Sequence, residues 1–230
     1  MYDITFKGKT GYHNGVLVVK RPNIPAPERN VEYIEIPGRD GAITQDQKTY
    51  KNIEISIELN FMAKETEWQQ CFRKCKNWLQ GAGKLELSDD AQFYYRVKNV
   101  SLSENERTSL EIGKFTATFV CDPYMYLKSG MRERAIEEVT YNPYDLSCPI
   151  YMIEGEGICA IDVNGKTLAI NVGQNAVIDT DLMIAYRKDG TLINAQVYGY
   201  YEDGRLKPGD ISLYASDGFN VKIIPNWRCL

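Results

Sequence analysis

A chain of 230 residues, 43% hydrophobic and 25% charged, has room for one large or two ordinary domains and does not have the composition of a disordered or fibrous protein. Its 27 lysines and arginines against 31 aspartates and glutamates leave a net charge of −4 with no long basic stretch, which argues against binding nucleic acid by neutralising phosphates. No run of eighteen apolar residues occurs and the N-terminus lacks a basic start followed by an apolar core, so neither a membrane span nor a secretory leader is expected.

In chain order, the lone histidine, His13, sits beside Asn14-Gly15 and reads as a turn residue, because no nucleophile elbow or cysteine-protease motif accompanies it. Residues 31–36 read as a strand leading into Pro37-Gly38-Arg39-Asp40-Gly41. Proline fixes φ, glycine accepts positive φ and Asp-Gly is a hairpin dipeptide, so the chain reverses here while carrying charges of both signs on a rigid turn. The hairpin is expected over residues 37–50, with a polar tip at residues 44–49 and Ile43 and Tyr50 as anchors. Arg39 is expected to form a buried or intersubunit ion pair with Asp40 or with an acid on a neighbour.

Residues 53–61, IEISIELNF, alternate apolar and polar without a break and predict a half-buried antiparallel strand. Trp68, Cys71, Phe72, Cys75, Trp78 and Leu79 then recur at steps of three and four, one apolar stripe on a helix of about four turns. Thr66 with Gln69 predicts a capping box and Gly81 a left-handed C-cap. Cys71 and Cys75 lie one turn apart, but zinc needs about four ligands and no second pair exists, so they are assigned to the core. Further strands follow at Leu85 and Leu87, at residues 93–100 and at residues 114–121. One helix cannot cover both faces of a parallel sheet, so a doubly wound α/β fold is rejected.

The periodicity lapses near residue 130, where a domain junction is placed: 1–130 and 131–230. The second half is expected to begin with a short strand over residues 136–141. From Pro149 onward short strands alternate with turns at Asn164-Gly165, Asp189-Gly190, Asp203-Gly204, Pro208-Gly209 and Asp217-Gly218, the pattern of a jelly-roll or lectin-like β-sandwich. The fold class is therefore mainly β, two β-sandwich-like domains with a single helix in the first.

Reactive constellations are sparse. Asp179 and Asp181, and Glu154 and Glu156, have spacings a loop calcium site could use, but the remaining ligands are not visible. The six cysteines are scattered and read as reduced, buried thiols. No metal, cofactor or catalytic residue is assigned, and an enzyme is not expected. Sixteen tyrosines suit strands and interfaces. Tyr198 and Tyr200, on one face of a strand, together with Trp227 form a candidate aromatic platform for sugar.

The order and spacing of several pieces resemble the distal tail protein family, the tail-tip hub of long-tailed, non-contractile bacteriophages and related prophages. In the first half these are Tyr33 to Ile36 leading into Pro37-Gly38-Arg39-Asp40-Gly41, the 53–61 strand, Trp78-Leu79-Gln80-Gly81, residues 85–90, Phe93-Tyr94-Tyr95 and Phe119-Val120-Cys121-Asp122-Pro123-Tyr124. In the second half they are Asn142-Pro143, residues 149–157, Val163-Asn164-Gly165, Ile178-Asp179, Leu206-Lys207-Pro208-Gly209 and Pro225-Asn226-Trp227-Arg228. Asp210 departs from the polar residue common after the Pro-Gly pair. The resemblance implies an N-terminal belt domain that assembles as a homohexameric ring and a galectin-like C-terminal domain projecting outward. It further implies a ring at the virion tail tip, built in the bacterial host cytoplasm. Its partners would be the tail-tube protein, the tail-associated fibre or lysin protein and receptor-binding proteins, with no membrane and no specific nucleic acid. The alternatives are a carbohydrate-binding module or adhesin that recognises host cell-wall sugars and, with less support, a tail-tube subunit.

Overall fold

Strict alternation in sequence becomes strict alternation in burial. In the computed structural model, which describes residues 2–107 and 109–230, Ile53, Ile55, Ile57, Leu59 and Phe61 are buried while the residues between them face outward. The chain divides into two units, Met1–Met125 with Leu230 and Tyr126–Cys229.

The first unit contains β1 (Ile4–Phe6), β2 (Lys9–Thr10), β3 (Val16–Val18), β4 (Arg29–Ile34), β5 (Ile43–Tyr50) and β6 (Ile53–Met62). After these come α1 (Trp68–Leu79), β7 (Gly83–Leu87), β8 (Phe93–Leu102), β9 (Glu106–Arg107) and most of β10 (Ile112–Leu127). Its main sheet runs β2-β1-β7-β8-β10-β6-β3, with β9 also on β10. The β6–β10 ladder is unbroken from Ile53↔Cys121 to Met62↔Ile112. α1 lays Trp68, Cys75, Trp78 and Leu79 into the core beneath this sheet, and the Trp78 indole N–H donates to Phe6 O at 3.1 Å.

The apolar stripe of α1 is the one expected from the sequence, but its start differs. Glu65–Glu67 forms a 3-10 turn and no side chain caps the helix, so the Thr66/Gln69 box does not form and the helix is twelve residues long. The final turn closes as expected, with Gly81 at φ 75°.

The second unit contains β11 (Arg134–Ala135), β12 (Tyr141–Asn142), β13 (Ile150–Val163), β14 (Lys166–Asp179), β15 (Ile184–Tyr186) and β16 (Val197–Tyr198). It ends with β17 (Gly209–Asp210), β18 (Leu213–Ala215), β19 (Asn220–Ile224) and β20 (Arg228–Cys229). Residues 136–141 are not the expected strand: Ile136–Glu138 is a 3-10 turn that buries Ile136, and pairing resumes only at Tyr141. A lone apolar residue anchoring a turn does not need strand alternation, which is why the sequence pattern misled.

One hairpin organises this unit. Asn164 and Gly165 sit at φ 53° and 79°, a type I′ turn, and fourteen residues of β13 pair continuously with fourteen of β14. Along the same edge of β13, β19 pairs with residues 150–154 and β18 with residues 161–163; along β14, β15 pairs at residues 177–179 and β16 at residues 169–170. Between these ends the ladder passes Gly155, Gly157 and Gln174, all at positive φ, so the two halves of the hairpin can curl toward each other. Their inward residues, Tyr151, Ile153, Ala176 and Ile178 from one half and Cys159, Ile161, Leu168 and Ile170 from the other, join one core. A Cβ on Gly155 would lie 2.5 Å from the Phe219 ring, so a side chain is excluded there as well.

Tyr151 is wholly buried, and its hydroxyl donates to Gly204 O at 2.7 Å. Tyr151→Phe is expected to strand that carbonyl and cost about 1–3 kcal/mol, read as a lowered urea midpoint with an unchanged slope. No loss of stability would mean that the bond contributes nothing.

Candidate assembly surfaces

The fold brings the signature turn to the end of a free-standing arm. β4 and β5 pair only with each other, as a two-stranded sheet outside the main one, and the arm is exposed from residue 32 through residue 49. Its register runs from Arg29↔Tyr50 to Ile34↔Ile43, with a bulge between Arg29 and Val31. The turn therefore occupies residues 35–42 and carries Pro37, Gly38, Arg39, Asp40 and Gly41 at the tip, with Gly38 at φ 83° and Gly41 at φ 77°. This corrects the expected layout. Residues 44–49 are the body of β5 rather than a polar tip, because the Pro-Gly turn reverses the chain first.

The two expected anchors lie at opposite ends of the arm. Tyr50 is half buried at its root, where its ring meets Tyr124 edge-on at 6.1 Å between centroids and the Arg29 guanidinium covers it at 5.7 Å. Arg29 also pairs with Asp46 at 3.1 Å, and Lys51 with Glu28 at 3.3 Å. Ile43 lies near the tip, exposed beside Tyr33, Ile34 and Ile36. Arg39 is exposed and its side chain has no hydrogen bond or ion pair among the described residues; only its backbone N–H donates, to Ile36 O at 3.1 Å. A pair buried within the chain is therefore not formed. An isolated two-stranded hairpin is marginal in water, and this one spends its apolar side chains on solvent.

Several of the second-half signature pieces, separated in sequence, meet in one hydrogen-bonded network of the second unit. Asn142 is fully buried and its amide donates to the carbonyls of Asp145 at 2.9 Å and Leu206 at 3.2 Å. Asn226 donates to Cys148 O at 2.9 Å, and the Thr180 hydroxyl to Pro149 O at 2.8 Å. Arg205 donates twice to Thr180 O and Arg228 to Leu146 O at 2.7 Å. Each of these carbonyls receives a side-chain donor, so these residues hold the loop over residues 142–149 in place. Asp179, considered for calcium, instead accepts the backbone N–H groups of Asp181 and Leu182 at 2.9 and 3.0 Å, an Asx turn closing the end of β14. Glu154 is bound to Lys188 and Asn220.

The sugar platform does not assemble. Tyr198 and Tyr200 are 53% and 73% exposed, but Trp227 is 6% exposed and belongs to the core, pressed against Gly130. A C-terminal tryptophan looks available in a sequence; here Pro225 and Asn226, both buried, carry it inward.

Burial governs the thiols. Cys75 is pushed up to about 11 by burial and then by the neighbouring Cys71, Cys121 up to about 12 by burial and then by Asp122, and Cys159 up to about 11 by burial. All three stay protonated near neutrality, which suits core packing rather than nucleophilic or ligand chemistry. Among the described residues no group of three or more His, Cys, Asp or Glu is placed to hold a metal ion. His13 lies exposed in the 3-10 turn Tyr12–Asn14 and rims a groove of about 580 Å³ beside α1 that sequence reasoning did not single out.

Residues 13–121, the span that includes the arm, α1 and most of the first unit's core, match the family described as phage tail protein RIFT-related domain. A search of curated proteins finds no match. Among solved structures, the crystal structure of the SPP1 Dit (gp 19.1) protein, described as a paradigm of the hub adsorption apparatus in phages that infect Gram-positive bacteria, superposes with a TM-score of 0.68. It is 14% identical, and the match covers 97% of this chain and 98% of that one. At that identity the likeness establishes the fold.

Proposed function

We propose that this chain, which matches the phage tail protein RIFT-related domain over residues 13–121 and shares the fold of the SPP1 Dit protein, is a siphophage tail protein of the distal tail type and the structural hub of a tail tip. Its first unit forms the belt of a homohexameric ring. Its second, galectin-like unit faces outward and holds a receptor-binding protein. The ring joins the last ring of the tail tube to the tail-associated fibre or lysin protein, so the protein belongs to the virion and is assembled in the host cytoplasm. Its work is mechanical rather than catalytic.

One observation supports this reading above the others: the first unit extends a hairpin that has no third strand among the described residues and leaves Tyr33, Ile34, Ile36 and Ile43 exposed. Such an arm is stabilised by covering it, and a ring supplies the cover by repeating one contact between two different surfaces. Negative-stain images and mass photometry of the purified chain across micromolar concentrations are expected to show a six-membered ring. A species that stays monomeric at every concentration and never joins tail-tube protein would refute the proposal.

Arg39 tests the arm directly. Because its side chain has no partner among the described residues, Arg39→Ala is expected to leave the melting temperature of the monomer unchanged and to weaken ring formation at least tenfold. An unaltered ring would remove Arg39 from the interface. The carbohydrate-binding alternative loses support, since Trp227, the strongest member of its platform, is in the core.

A further inference from the structure

The groove beside α1 has a sign. It lies between α1, the Tyr12–Asn14 turn and the end of β6, with Lys9, His13 and Lys74 on its rim and Met62, Cys71 and Trp78 among its apolar lining. Its lining holds these three basic residues and not one aspartate or glutamate, in a chain whose net charge is −4. Lys9 and Lys74 have no ion pair among the described residues, while lysines elsewhere, such as Lys20 with Glu58 and Lys98 with Asp122, are matched. An uncompensated basic rim over an apolar floor suits an acidic ligand with apolar side chains.

The arm has that chemistry. Over residues 32–43 it carries Glu32, Glu35 and Asp40 against the single cation Arg39, and the exposed apolar residues Tyr33, Ile34, Ile36 and Ile43. No residue of the arm lines the groove of its own chain, and among the described residues β4 and β5 pair with no other strand. We propose that the distal half of the arm seats in the α1 groove of a second copy of this chain, the acidic side chains meeting Lys9 and Lys74 and the apolar ones covering Met62 and Trp78. The inference rests on the ring reading above and deepens it by naming both surfaces. Since arm and groove are different parts of one chain, the contact is heterologous: each copy gives an arm to one neighbour and a groove to the other, as a closed ring requires.

Cys71 lies half buried in this groove as a built-in reporter. In Asp40→Cys protein assembled at high concentration and treated with oxidised glutathione, a ladder of covalent oligomers is expected on non-reducing gels. Reduction should collapse the ladder, and Cys71→Ser should abolish it. Independently, Lys74→Glu and Glu35→Lys are each expected to weaken assembly about tenfold without lowering the melting temperature, both positions being exposed. The combined variant is expected to restore it.

If the wild-type ring forms, yet no link to Cys71 appears and neither charge reversal alters assembly, the groove does not receive the arm and serves some other acidic partner, while the ring reading stands. If wild-type protein never forms a ring, both fall together.

Discussion

Trp227→Ala is expected to destabilise the second unit by about 3–5 kcal/mol, the usual cost of removing a buried tryptophan side chain, which would leave that unit near the edge of unfolding. The site has little means of collapsing around the loss. Trp227 is held through its backbone, with its carbonyl accepting Leu127 N–H at 2.9 Å, and the neighbouring Asn226 N–H donates to Gly130 O at 2.9 Å. Gly130 is pressed so closely that an added Cβ would lie 2.7 Å from the Trp227 backbone nitrogen. The indole therefore fills a space whose walls are fixed by hydrogen bonds. Amide exchange over residues 126–229 is the measurement, since the mutation removes one of three tryptophans from the fluorescence signal. Protection should fall throughout that unit and much less in the first. A destabilisation below about 1 kcal/mol would mean that Trp227 is a surface residue after all.

Phe61→Ala is expected to cost the first unit a similar amount, about 3–5 kcal/mol. The Phe61 ring lies 5.4 Å from Trp68, 6.0 Å from Phe72 and 6.2 Å from Phe115, so it joins the face of α1 to β6 and β10. Opposite it on β10 stands Gly113, where a Cβ would lie 2.3 Å from the ring. Gly113→Ala alone should overpack this site and cost about 1–3 kcal/mol. In the Phe61→Ala background the same methyl enters vacated space, so the double variant should be more stable than the sum of the two losses predicts, by about 0.5–3 kcal/mol. Additive losses in urea titrations would show that Gly113 is not shaped by the phenylalanine.

The parts of this molecule that the sequence announces are those decided by local chemistry. The 53–61 alternation, the Trp68-to-Leu79 stripe, Gly81 and the Asn164-Gly165 turn each follow from side-chain period or backbone permission, and each appears as expected. What escaped depends on competition between distant groups. Thr66 could have capped α1, but a 3-10 turn formed instead. Trp227 could have stacked on a sugar, but the loop over residues 142–149 and Gly130 supply a better home. The arm's turn was legible; its freedom from every other strand was not, because a strand's lack of a neighbour leaves no mark in its own residues. The basic groove combines Lys9 and His13 with Lys74, some sixty residues further along the sequence, and only the packing of α1 against the Tyr12–Asn14 turn makes them one surface.

The long hairpin of the second unit also bears on how the chain acquires its shape. Its ladder zips outward from Val163↔Lys166 to Ile150↔Asp179, every step closing a loop barely larger than the last. The longest ladder of the first unit has no such start, for Met62 must find Ile112 and Ile53 must find Cys121 across the whole of α1, β7 and β8. Because each doubling of a closed loop adds only about 0.6 kcal/mol, the difference is small in stability and falls mainly on rate. The second unit thus carries the kinetically easier nucleus, although it is synthesised after the first.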